Sequence, residues 1–297
     1  MLKRHAPAKV NLFLRILAQE QSGFHQLETL FASVDFGDTI TLQEASSGLV
    51  LETDGLPTGP QEKNLVYRAA KAFLEKGRVG GGGEIHLRKR IPLGAGLGGG
   101  SSDAGATLLA LQNLFPGAVG ETQLLELAGA LGSDVPFFLS PSPLALAWGR
   151  GDRILPLPPL PPAPVVLALP PIGVRTPDAY RVLAQERAKA SPQPSARLLP
   201  PDAFSSWAKV GSLAENDFQE LVFRQYPLLT EIGAAIRDSG PLFSLLSGSG
   251  AALFGVYGDE RGARQAKDDL GDRFPNTRFI LTWTSFPSVG SGVMEGG

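Results

Sequence analysis

Pro92-Leu93-Gly94-Ala95-Gly96-Leu97-Gly98-Gly99-Gly100-Ser101-Ser102-Asp103-Ala104 is the stretch that decides how this chain is read. Five glycines fall within the seven positions 94–100. A strand-like run, Glu84 to Arg90, precedes them, and a helical run, Ser101 to Leu114, follows. Lacking a Cβ, glycine lets backbone N–H groups come close to a ligand. A helix opening directly after such a loop adds unbonded N–H groups and the positive end of its dipole. The combination predicts a cradle for phosphate, and so a chain that handles a nucleoside triphosphate. Three glycines feeding Ser-Ser-Asp cost conformational entropy that a loop without a ligand has no use for.

Other glycine-loop signatures fit less well. Gly94-x-Gly96-x-x-Gly99 matches the dinucleotide fingerprint in form only. It lies far from an opening βαβ unit, Pro92 separates strand from loop, and no acidic residue follows about 20 positions later to hold a ribose. No Gly-Lys-Ser/Thr follows, so it is not a P-loop. The lysine-strand and His-Arg-Asp elements of protein kinases are absent.

Outward from the loop, strands and helices alternate. Pro7 to Leu17 reads as a strand, with Val10, Leu12, Leu14 and Ile16 on a core face and Lys9, Asn11, Phe13 and Arg15 on the other. Thr29 to Val34, Thr39 to Glu44 and Leu49 to Thr53 are further strands. Asn64 to Lys76 is a helix stopped by Gly77, and Glu121 to Leu131 a helix closed by Gly132. The proline-dense run Pro156 to Pro164 reads as a stiff connection between two halves. Beyond it lie a buried strand (Val165 to Leu169), a helix (Thr176 to Lys189) and a polar loop (Ser191 to Pro201). Helices over Glu215 to Phe223 and Leu228 to Ser239 come next, then a strand (Ala251 to Tyr257), a helix (Glu260 to Leu270) and a last strand (Arg278 to Trp283). The class is α+β, in two domains joined near residue 160. The tail Ser288 to Gly297 has no pattern and reads as disordered.

Bulk properties exclude several classes. The 297 residues are 43% hydrophobic and 19% charged, which suits a globular protein with a substantial core. A net charge of −2 gives no general attraction to nucleic acid or anionic lipid. With no cysteine, disulfides and thiolate chemistry are ruled out, and the three histidines, His5, His25 and His86, have no metal-binding spacing. There is no signal-like or membrane-length apolar run, so the expectation is a cytoplasmic enzyme.

Individual residues allow a structural and a chemical reading. Ser101 and Ser102 are expected to cap the helix, and Asp103 to favour its first turn by charge. A magnesium–nucleotide site would also use a hydroxyl there, from Ser101 or Ser102, because Mg²⁺ prefers hard oxygen ligands. Asp134, in Gly132-Ser133-Asp134-Val135-Pro136, is either a turn residue or a base for an attacking hydroxyl. Lys9 is either a solvated surface lysine or the partner that keeps such a carboxylate ionised. Leu246-Ser247-Gly248-Ser249-Gly250-Ala251 reads as a tight turn before a strand.

Taken in order, Pro7-Ala8-Lys9-Val10-Asn11-Leu12, the loop Pro92 to Ala104 and the stretch Leu246 to Ala251 resemble the three signature motifs of the GHMP small-molecule kinases. Ala6 to Leu14, Gly23-Phe24-His25-Gln26-Leu27-Glu28-Thr29-Leu30-Phe31, Gly37-Asp38, Gly132 to Phe138 and Glu215-Asn216-Asp217 narrow the likeness to members acting on a cytidine diphosphate-linked methylerythritol. The resemblance implies a two-domain α+β fold: a ribosomal-S5-like domain over 1–158, a ferredoxin-like domain over 159–286, and the tail 287–297. It implies ATP and Mg²⁺ as cofactors, a small-molecule substrate, no nucleic acid or membrane partner, and a monomer or homodimer. Asp134 would be the general base and Lys9 its activating partner. Pro92, Gly94, Ala95, Gly96, Leu97, Gly98, Gly99, Gly100, Ser101 and Ser102 would wrap the ATP phosphates. Asn11 would bind near the sugar alcohol, and His25 would hydrogen-bond the cytosine between the rings of Phe24 and Tyr180. Ser247 and Gly248, with the rest of the stretch to Gly250, would line the same cleft. The family commonly has tyrosine where this chain has Phe24, which keeps the ring and loses the hydroxyl. Another family member, such as a homoserine or mevalonate kinase or the decarboxylase relative, is the neighbouring reading. A binding module without activity is the distant one, because S5-like folds also occur in RNA-bound proteins.

Overall fold

The structure, a computed structural model, describes residues 1–20, 25–187, 199–200, 202–284 and 293–294. It holds two sheets with helices on their outer faces. The first sheet runs β11(Val293–Met294)-β1(Leu2–Gln19)-β2(His25–Ala45)-β4(Gly82–Lys89)-β3(Gly48–Gly55), with β5(Leu144–Gly149) on the other half of β2 and β6(Arg153–Pro156) beyond it. All its pairs are antiparallel except β3 with β4. The second sheet is antiparallel, in the order β10(Arg278–Trp283)-β7(Pro164–Leu169)-β9(Leu253–Val256)-β8(Phe243–Leu246). The expected α+β class holds.

β2 replaces the two short strands read from the sequence. Its first half pairs with β5 and its second half with β4, so one long strand carries both branches of the sheet. Helices α1(Leu65–Gly77), α2(Gly99–Leu114) and α3(Glu121–Leu131) cover one face, where Val66, Phe73, Leu108 and Leu111 pack on Ile40, Leu42, Ile85 and Leu87. On the other face the two sheets meet directly. Val10, Leu12, Ala32 and Val34 of the first sheet touch Val165, Leu167, Phe254 and Val256 of the second. The outer face of the second sheet is covered by α7(Pro227–Asp238) and α8(Glu260–Arg273), through Ile232, Ile236, Ala266 and Leu270. The proposed division at 158/159 falls in the stretch between β6 and β7.

A bulge in β1 changes which side chains face where. Asn11 pairs with Phe31 and Phe13 with Leu30, so Leu12 is an extra residue. One extra residue moves the following side chains to the opposite faces. Phe13, expected beside Lys9 and Asn11, therefore turns into the core between the sheets, only 3% exposed. Leu14, expected in that core, moves to the side of Lys9 and Asn11.

The helix after the glycine loop starts earlier than the sequence indicated. Gly98 is the cap in the left-handed region (φ 67°), α2 begins at Gly99, and Ser102 N–H makes the first helical bond, to Gly98 O at 2.9 Å. Neither Ser101 nor Ser102 caps the helix, because three glycines can themselves take up the turn. The Glu215 to Phe223 helix shortens to α6(Gln219–Gln225), since Asn216 is used as a bridge to β1. α4(Thr176–Arg187) matches its expected start, and residues 188 and 189 lie outside the described residues. So do Phe24, most of the Ser191 to Pro201 loop, and the expected tail apart from Val293 and Met294, which pair with β1. Strands β5 and β6 and the short helix α5(Trp207–Ser212) were not read from the sequence. Among the described residues no helix is long and apolar enough to cross a membrane.

Candidate active site

The glycine loop lies against the middle of β1 and also touches the β8–β9 turn, so both halves of the chain meet it. Lys9 N–H donates to Leu97 O at 3.0 Å, which fixes the loop to the first sheet. Ala252 N–H donates to Ala95 O at 3.1 Å and Ser247 Oγ to Gly96 O at 2.9 Å, which fix it to the β8–β9 turn. Gly96 has φ 77°, and a Cβ there would overlap the Ser247 carbonyl oxygen. The two glycine-rich stretches, about 150 residues apart in sequence, thus touch backbone to backbone, which needs glycine. The N–H groups of Gly99, Gly100 and Ser101 precede the first helical bond, so they have no acceptor in α2, an arrangement able to hold an anion.

One cleft collects most of the expected residues. It is lined by Lys9, Asn11, Pro92 to Ser101, Asp134, Tyr180 and Gly248 from the expected set. Ser249, from the expected 247–250 stretch, lines it as well, and so do Leu14, Thr29, Phe31, Thr176 and Phe218, to which the sequence assigned no role. Ser102 does not line it. Its hydroxyl is buried inside the first turn of α2 and has no partner among the described residues. Ser247 is likewise fully buried and acts beneath the cleft, through Gly96. His25 lies against Tyr180, ring centroids 4.8 Å apart, and Tyr180 meets Phe218 edge-on at 4.8 Å. Phe24 is outside the described residues.

At the floor of the cleft, Lys9 Nζ lies 3.6 Å from Asp134 Oδ2. Lys9 is 4% exposed, not the solvated lysine of the default reading. Its ammonium donates to Asn11 Oδ1 at 2.7 Å and sits over the Phe31 ring, 5.2 Å from the centroid. Burial pushes the Lys9 pKa down, and the Asp134 carboxylate works against that shift. Asp134 comes from the turn between α3 and a 3-10 turn, Pro136–Leu139, its side chain 32% exposed to the cleft. Burial raises the Tyr180 hydroxyl to about 12, with Asp134 adding to the effect, so it stays neutral. His25 is held below its ordinary value by burial and by the Arg187 guanidinium, so its imidazole is neutral near pH 7.

Asp103 does not serve the helix dipole as expected. It is buried behind the loop, where Lys89 Nζ donates to Asp103 Oδ2 at 2.6 Å and to Asp38 Oδ2 at 2.5 Å. Asp38 Oδ1 also accepts from Arg90 and Ile91 N–H, the latter at 2.9 Å. Burial raises Asp103 to about 8; Lys89 opposes the shift and Asp38 adds to it. This cluster explains Asp38 of the sequence pattern, since it secures the start of the loop and the helix after it, whereas Gly37 is required by the close approach of Ala6 and His5. Glu215-Asn216-Asp217 is structural too. Leu14 N–H donates to Glu215 O, Asp217 N–H to Leu14 O, and Asn216 Nδ2 to Leu246 O and Gly248 O.

Among the described residues no group of three or more His, Cys, Asp or Glu side chains is placed to hold a metal ion. Asp134 and Ser101 are hard oxygen donors in the cleft lining. That set suits Mg²⁺ held mainly by phosphate oxygens and water, with few protein ligands.

A cleft between two such sheets, floored by a Lys–Asp pair and walled by a glycine loop, defines a phosphotransferase of the GHMP type. The family models for the GHMP kinases N terminal domain and the GHMP kinases C terminal match residues 64–141 and 202–276. The chain belongs to the GHMP kinases. Within the family it is 41% identical over 272 residues to the 4-diphosphocytidyl-2-C-methyl-D-erythritol kinase of Thermus thermophilus, covering 91% of this chain and 92% of that one. It is 39% identical over 264 residues to the same enzyme of Pelotomaculum thermopropionicum, with 88% and 90% covered. A crystal structure of 4-(cytidine 5'-diphospho)-2C-methyl-D-erythritol kinase superposes with a TM-score of 0.79 at 40% identity, over 95% of this chain and 99% of that one. The homoserine kinase of Cytophaga hutchinsonii shares the fold, with a TM-score of 0.66 at 20% identity over 96% and 94% of the two chains.

Proposed function

We propose that this chain transfers the γ-phosphoryl group of ATP to the 2-hydroxyl of 4-diphosphocytidyl-2-C-methyl-D-erythritol, a step of the non-mevalonate isoprenoid pathway, in the cytoplasm. The observation that carries the reading is the Lys9–Asp134 pair, 3.6 Å apart, directly below the glycine loop. Asp134 takes the proton from the acceptor hydroxyl as its oxygen bonds to the γ-phosphorus. The bond from that phosphorus to the β,γ-bridging oxygen breaks, and ADP leaves. Lys9 pairs with Asp134 and adds positive charge beside the attacking oxygen. Asn11 orients that hydroxyl. The N–H groups at the start of α2 hold phosphate oxygens where negative charge accumulates. Mg²⁺ would neutralise phosphate charge when bound, with the Ser101 hydroxyl as its protein contact. Neutral His25 offers one donor and one acceptor to the cytosine edge, and Phe24 and Tyr180 supply the stacking rings.

Mass spectrometry of products settles the matter directly. Incubation with ATP, Mg²⁺ and 4-diphosphocytidyl-2-C-methyl-D-erythritol should add one phosphoryl group to the alcohol. Homoserine and mevalonate should stay unmodified. Phosphorylation of either of those, with the cytidylyl substrate untouched, rejects the assignment.

A further inference from the structure

We propose that Thr29 is a positioning residue for phosphoryl transfer: its hydroxyl sets the orientation of the Asn11 carboxamide, and through it the ammonium of Lys9. The inference rests on the roles proposed above for Lys9 and Asp134. Thr29 lies on β2, fully buried, where the bulge in β1 has interrupted the regular ladder. Its Oγ1 donates to Phe13 O at 2.7 Å and accepts from Asn11 Nδ2 at 2.8 Å.

A hydroxyl has one proton to give. Thr29 gives it to the Phe13 carbonyl, so toward Asn11 it can only accept. Asn11 must then present its NH₂ to Thr29, and its carbonyl oxygen faces the other way, 2.7 Å from Lys9 Nζ. The reversed carboxamide would place NH₂ against an ammonium, donor on donor, and its oxygen against a hydroxyl with no proton left. Both are losses in a buried site. Hydroxyl and ammonium therefore select the same one of the two amide orientations, and the hydroxyl is what ties that amide to β2. With the oxygen toward Lys9, the ammonium is held between Asn11 and Asp134, under the acceptor position. Loss of that tie would let the amide turn and the ammonium drift from Asp134.

Thr29→Val keeps the shape of the side chain and removes the hydroxyl; Thr29→Ser keeps the hydroxyl. With the cytidylyl acceptor and ATP, the full chain carrying Thr29→Val is expected to lose about tenfold or more in kcat relative to wild type. ADP affinity measured by calorimetric titration should be unchanged, and Thr29→Ser should recover most of the rate. Added to Asn11→Ala, Thr29→Val should cause no further loss, because Thr29 acts through that amide. If Thr29→Val does not fold, Thr29→Ala takes its place in the same assays. Wild-type kcat in the hydroxyl-free variant, full additivity with Asn11→Ala, or a serine variant as slow as valine overturns the inference. If the wild-type chain itself fails to phosphorylate the acceptor, it is the roles of Lys9 and Asp134 that fall.

Discussion

Lys9 is a buried ammonium, and burial lowers its pKa. Asp134, Asn11 and the face of Phe31 surround it, and each favours the charged form. Among the described residues no other cation lies within ion-pair distance of Asp134, so the two charges face each other at the cleft floor. Asp134→Asn keeps the shape and removes the base. The expected outcome is a kcat lower by about 10²–10⁴, with ADP affinity within a few-fold of wild type. Turnover within about tenfold of wild type would exclude proton abstraction by this residue.

At the scale of elements, the glycine loop is held by its neighbours and has little freedom of its own. Its backbone is bonded to β1 through Lys9 and Leu97 and to the β8–β9 turn through Ser247 and Ala252. Gly96→Ala should destabilise the protein by roughly 1–3 kcal/mol and weaken ADP binding, because the new Cβ meets a carbonyl that cannot retreat. Chemical denaturation and ADP titration give both numbers, and a variant equal to wild type in both would show the loop to be slack. Behind the loop, Asp103 titrates near 8 when folded and near 3.8 when unfolded. Between those values the folded state holds the proton that the unfolded state has lost, so stability falls as pH rises through that window. Asp103→Asn still accepts from Lys89 but cannot titrate. Its melting temperature should decline less than that of the wild type between about pH 5 and 8. Parallel profiles would show that Asp103 stays ionised when buried.

For the whole molecule, β1 is the shared part. Its residues pack into the core between the sheets and into the core under the second-half helices, and its backbone is bonded to residues 215–217. Ile16 N–H donates to Asp217 Oδ2 at 2.6 Å, and Arg187 reaches both Asp217 and the Ile16 carbonyl. With apolar contact continuous from one sheet to the other, calorimetry should record one unfolding transition. Asn216→Ala strands two carbonyls and the Phe218 N–H, so it should cost roughly 1–3 kcal/mol while the transition stays single. Two resolved transitions would mean that the halves unfold independently.

The sequence alone determined the local pieces. Glycine spacing marked the loop that opens α2, apolar alternation marked β1, proline and glycine marked the turns, and the ordered motifs marked the family. These are short-range consequences of backbone sterics and side-chain periodicity, and they are written into neighbouring residues. The tertiary structure alone decided that Lys9 is buried, and that it meets a carboxylate 125 residues away. It also decided that Phe13 and Leu14 exchange faces, that Ser102 and Ser247 lie beneath the cleft instead of in it, and that Asp103 joins Asp38 and Lys89. Each depends on how far one element sits from another. That distance is set by packing of two sheets and one strand bulge, and no local pattern encodes it.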